Sequence, residues 1–127
     1  LDPATGRVTY VNAGHNPPFV VRADGAVEML APTGMPVGII EESPYRTGEV
    51  ELNPGDLITL YSDGIPETQR MDDEEYGEDN FEKLLVAERA NDLVGMYDKL
   101  QVELKDFRGD APIGDDVTLL VLRRNPA

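Results

Sequence analysis

The rhythm of hydrophobic and polar positions changes twice along this chain. Up to residue 61 the apolar positions come in short runs or alternate with polar ones. Between 79 and 107 they recur at spacings of three and four, and from 117 to 122 they gather again. Period two and short β-rich runs mark strands; a period near 3.6 marks a helix. Runs at 8–11, 19–22 and 26–30 predict three strands. Asn12-Ala13-Gly14-His15-Asn16-Pro17-Pro18 and Ala23-Asp24-Gly25 separate them. Asp-Gly is a strong hairpin signal, and such tight spacing predicts an antiparallel meander whose first two strands form a hairpin or its near relative. Pro32, Gly34, Pro36 and Gly38 make 31–43 a loop crossing the surface.

In 46–52, Thr47, Glu49 and Glu51 alternate with Val50 and Leu52, a strand with one wet face. Asn53-Pro54-Gly55-Asp56 then turns the chain into the central strand, 57–61. Asp79, with Glu82 three residues on, predicts the cap of a first helix whose apolar stripe is Phe81, Leu84 and Leu85. Asn91 is the expected cap of a second. Its stripe is Leu93, Met96, Tyr97, Leu100, Leu104 and Phe107. Arg108-Gly109-Asp110 ends it, and 117–123 is the last strand. Strands, two helices and a strand predict an α+β fold with helices laid on an antiparallel sheet.

Composition narrows the function. The 127 residues suit one domain with a core of its own. A net charge of −14 repels nucleic-acid phosphates and favours cations or basic protein surfaces as partners. With no cysteine, disulfides, thiolate metal sites and a cysteine nucleophile are excluded. One histidine excludes a multi-histidine cage. No apolar run approaches the roughly 20 residues of a membrane-spanning helix, no signal peptide is visible, and a cytoplasmic location is expected. The chain begins with Leu1 and is expected to be part of something longer.

Chemistry concentrates at two strand ends. The central strand stops on Ser62-Asp63-Gly64, and Gly114-Asp115-Asp116 leads into the last strand. If those strands are neighbours, Asp63 and Asp115 can share an ion, and carboxylate oxygens suit Mg²⁺ or Mn²⁺. Asp-Gly after a strand is also an ordinary turn, and Asp115-Asp116 an ordinary solvated loop. Ser62 lacks the strand-to-helix G-x-S-x-G elbow of a nucleophile. His15 reads as a turn histidine bonded to local backbone.

The ordered motifs Asn12 to Pro18, Gly34-Met35-Pro36-Val37-Gly38, Gly55 to Glu67, Tyr76-Gly77 and Asp115-Asp116-Val117-Thr118-Leu119 resemble the C-terminal part of a bacterial SpoIIE/RsbU-type serine phosphatase. These enzymes belong to the metal-dependent protein phosphatase superfamily. The resemblance implies an antiparallel β-sandwich flanked by helices, here a single partial domain over 1–127 lacking its N-terminal strands. It implies a binuclear Mn²⁺ or Mg²⁺ centre that activates water against a phosphoserine of a protein substrate, typically an anti-anti-sigma factor. Asp63 and Asp115 match the metal-ligating aspartates, and Asp116 takes a supporting place. A third-metal position of animal-type relatives falls on Glu67 and His15. The Gly-Asp-x-x-Asp strand that supplies the bridging aspartate has no counterpart before Val8. An apolar face left bare by missing strands implies pairing with a second copy, and a sensor domain, membrane-tethered or not, is expected upstream. The alternative is an interaction domain that kept the fold and lost the chemistry.

Overall fold

The structure is a computed structural model and describes residues 1–126. Its elements are β1 (Arg7–Tyr10), β2 (Phe19–Val21), β3 (Val27–Met29), β4 (Gly48–Glu51), β5 (Leu57–Tyr61), α1 (Gly77–Glu88), α2 (Leu93–Arg108) and β6 (Leu119–Arg123). Four strands form an antiparallel sheet in the order β3-β2-β5-β6, and β1 pairs with β4 as a separate ribbon. The α+β class and the antiparallel pairing are as expected.

The alternation of side chains across each strand assigns two cores to the two faces of the sheet. Phe19, Val21, Leu57 and Tyr61 point to the helices and meet Phe81, Leu84 and Leu85 of α1 and Met96, Leu100 and Leu104 of α2. Three rings fix the middle of this layer. Phe19 stacks on Tyr61 at 5.5 Å between centroids, and Phe81 meets Tyr61 edge-on at 4.9 Å. Such arrangements suit the ring quadrupoles. On the other face, Val20 and Ile58 meet Val50 and Leu52, and Val8 and Tyr10 pack against them from β1. The ribbon covers only part of that face. Leu60, Leu120 and Leu122 remain exposed beyond it, and β6 is an edge strand.

Three expectations need correction. β1 and β2 do not form a hairpin: β1 pairs with β4, Val8 opposite Val50. The reason lies in the connection. Asn12 is buried, accepts from the His15 N–H at 2.9 Å and donates to the His15 carbonyl at 3.0 Å. That side chain curls the loop away from a two-strand turn and frees β1 to cross to the other layer. Asp79 does not cap α1, which starts at Gly77 with Tyr76 before it. Tyr76 is buried, its ring packs edge-on to Phe107, and the Gly77 N–H donates to the Pro66 carbonyl. The helix start is thereby set earlier, and Glu78 and Asp79 occupy its first turn, where negative charge suits the helix dipole. Asp92, not Asn91, caps α2, accepting from the Gly95 N–H at 2.8 Å. Asn91 instead donates to Glu88. The α2 stripe is buried at Met96, Leu100 and Leu104, whereas Tyr97 is exposed.

Candidate functional site

β5 and β6 are neighbours, paired from Leu57 opposite Arg123 to Tyr61 opposite Leu119. The end of β5 and the start of β6 therefore lie side by side, which is the condition for Asp63 and Asp115 to act together. Beyond the last pair the contact continues through one side chain. The Ser62 hydroxyl donates to the Asp116 carbonyl at 2.9 Å and accepts from the Thr118 N–H at 2.9 Å. The Ser62 N–H also donates to the Thr118 carbonyl. Ser62 thus clamps the two acidic segments together. Its hydroxyl is committed to backbone, which agrees with rejecting it as a nucleophile.

Gly64 permits the closest approach. A Cβ built on it would lie 2.3 Å from the Asp116 carbonyl oxygen, so only glycine lets these backbones meet. Behind it the chain is pinned by buried Ile65 and by local bonds: the Glu67 N–H donates to the Asp63 carbonyl at 2.9 Å and the Thr68 hydroxyl to the Gly64 carbonyl at 2.7 Å. The backbone carrying Asp63 is held while its side chain is exposed. Among the described residues the Asp63 and Glu67 carboxylates accept no side-chain hydrogen bond, and Asp115 Oδ1 takes only the Asp116 N–H, at 2.7 Å.

Glu67 and Asp115 share a cavity of about 310 Å³ bounded by the second half of α2 and by 112–117. His15 lines a different cavity with Leu60 and Leu122, and its Nδ1 meets the Asn16 carbonyl oxygen at 2.9 Å. The donor set at the acidic end is all oxygen, which suits a hard dication. Among the described residues, however, no three metal-capable side chains gather round one point. Asp63 does not line that cavity, and the chain supplies carboxylates able to contribute to a metal centre without completing one.

Sequence reasoning passed over Ser62 as clamp and Gly64 as contact point, since both roles depend on a partner more than fifty residues away. It also passed over Asp56, at the other end of β5. Asp56 is buried and accepts from Arg22 Nη1 at 2.8 Å, the Asn53 N–H at 2.8 Å and the Ala23 N–H at 2.9 Å. Burial raises its pKa, but the bond from Arg22 and those from the two N–H groups outweigh burial and hold it below the ordinary value. Its turn position in Asn53-Pro54-Gly55-Asp56 was the available signal.

Comparison with known proteins agrees with the fold. The family model described as Stage II sporulation protein E (SpoIIE) matches residues 1–125. The phosphoserine phosphatase RsbU of Bacillus subtilis (strain 168) is 34% identical over 121 residues, which cover 91% of this chain and 34% of RsbU. The solved phosphatase domain of the cell fate determinant SpoIIE from Bacillus subtilis (Mn presoaked) superposes with a TM-score of 0.75 at 27% identity, over 100% of this chain and 54% of that one. The RsbU and RsbW domains of Rv1364c from Mycobacterium tuberculosis superpose at 0.73 with 30% identity, over 98% of this chain and 34% of that structure. The chain spans about half of the solved SpoIIE phosphatase domain and about a third of RsbU. With the family model matched over almost every residue, and with the sheet of solved phosphatase domains reproduced, the chain belongs to the SpoIIE family.

Proposed function

We propose that this chain is the part of a metal-dependent phosphatase domain that carries Asp63 and Asp115, and that the domain hydrolyses phosphoserine on a cytoplasmic signalling protein such as an anti-anti-sigma factor. The observation that carries the reading is the Ser62 clamp, which joins the Asp63 and Asp115-Asp116 segments across β5 and β6. Asp63 and Asp115 would hold Mn²⁺ or Mg²⁺, with Asp116 and Glu67 beside them. Remaining donors would come from the half of such domains that this chain does not span. A dication bound there supplies positive charge for the phosphoryl oxygens and acidifies water. The chain's own task is to keep the carboxylates exposed and fixed in place. The metal-dependent, phosphoserine-directed activity is supported by family membership and by the activity for which RsbU is named.

Mn²⁺-dependent phosphate release by a protein containing this chain, with Asp63→Asn and chelator controls, is the test. Turnover should fall at least a thousandfold in Asp63→Asn with the circular dichroism unchanged. Retained turnover would overturn the role of Asp63. The second reading, a phosphatase-like domain without chemistry, is favoured by the lack of a three-acid group among the described residues. It predicts no metal-dependent turnover in any context. The expected homodimer is proposed on the outer face of β6, where Leu120 and Leu122 are exposed; a monomer in sedimentation equilibrium at high concentration would remove it.

A further inference from the structure

The cavity beside the acidic end is lined by both signs of charge. Glu67 and Asp115 reach it from the segments next to β5 and β6; Lys105, Arg108 and Gln101 reach it from the second half of α2, and the exposed Ile113 lines it too. Much of the remaining basic complement is already engaged. Arg22 and Arg70 are ion-paired, and Arg89, Arg123 and Arg124 donate to backbone carbonyls. Among the described residues neither Lys105 nor Arg108 has an ion-pair partner within 4 Å or a side-chain hydrogen bond. In a chain of net charge −14, these two unengaged cations offset the two acids of the same cavity and offer donors to an anion there.

We infer that Lys105 and Arg108 bind the phosphate group of a phosphoserine segment lying in this cavity and so determine which substrates reach the acidic end. The inference rests on the phosphatase reading and deepens it. Asp63 and Asp115 would hold the metal, which would supply positive charge to the phosphoryl group, and the ammonium and the planar guanidinium would add donors to its oxygens. Gln101 offers an amide to the backbone of the same segment. A helix C-terminus also attracts cations through its dipole. That simpler role predicts a loss of stability on neutralising them, and no loss of phosphate recognition.

The experiment uses a phosphatase domain that contains this chain, freed of metal. Backbone amide shifts are followed by NMR on titration with an acetylated, amidated peptide carrying one phosphoserine, and with the same peptide carrying serine. The phosphopeptide should move Gln101, Lys105, Arg108 and 113–115, and the serine peptide should not. Lys105→Met with Arg108→Met should weaken binding about tenfold or more, the loss expected for charge-assisted contacts. Lys105→Arg should retain it, and the melting temperature should hold. Equal response to both peptides, or unchanged binding in the double variant, would overturn the inference. Failure of the phosphatase reading would register elsewhere, as missing metal-dependent turnover with phosphopeptide binding intact.

Discussion

Strand β5 has an aspartate just beyond each end, and the two live in opposite conditions. Asp56 is buried, with its oxygens occupied by a guanidinium and two backbone N–H groups. Asp63 is exposed, and among the described residues its carboxylate accepts nothing. Both follow or precede the same five-residue strand, and both sit next to a glycine. The difference lies in what the fold spends on each. At Asp56 it supplies the donors, and the acid ties the β2–β3 turn to the β4–β5 turn. At Asp63 it supplies only backbone restraint and leaves the lone pairs open. An acid that the protein satisfies is a fastener; one it fixes but does not satisfy is available to a ligand.

The sharpest way to break that comparison is Asp56→Ala. It leaves Arg22 without its buried partner and two N–H groups without an acceptor, and should cost about 2–4 kcal/mol. Urea unfolding measures it, and a loss below about 1 kcal/mol would deny Asp56 its fastening role. The pH dependence carries the same signature. Because the folded pKa of Asp56 is depressed, its stabilisation is fully present above the unfolded value near 4 and is lost as pH falls through the folded value. The variant should therefore lose less stability than the parent between pH 4 and pH 2. Gly64→Ala comes next. Its methyl meets the Asp116 carbonyl, and overpacking of this kind costs about 1–3 kcal/mol. Here the damage should reach the site as well, since the two acidic segments must separate; unchanged Mn²⁺ affinity in a protein containing this chain would contradict that. The smallest effect belongs to Asp63→Asn, which should shift stability by no more than about 0.5 kcal/mol. A larger loss in urea would mean Asp63 is a fastener too.

One half of this contrast was legible in the amino-acid order. β5 runs out into Asp63-Gly64 and β6 is entered from Gly114-Asp115-Asp116, while the pairing of the two strands stayed a condition and Asp56 read only as part of a turn. The helical stripe of α2 read correctly at Met96, Leu100 and Leu104 because its period is strong, but not at Tyr97, which is exposed. The misreadings share a cause. Sequence proximity suggested that β1 pairs with β2, whereas one buried asparagine redirects the loop. Asn91 and Asp92 are equally good caps by type, and only the helix register decides between them. Ser62 looked like an idle neighbour of Asp63 because its two partners belong to a strand far along the chain.

That last feature governs when the site can exist at all. The Ser62 clamp joins residues 54 and 56 positions apart, and β6, which it anchors, comes after every other described element in chain order. Everything from β2 to α2 can be made while Asp63 still lacks the Asp115-Asp116 segment at its side. The pairing that joins the two acidic segments is long-range, hence slow relative to helix formation and late in the order of events. The segments that carry Asp63 and Asp115 are thus brought side by side only once the sheet and helices that hold them are in place.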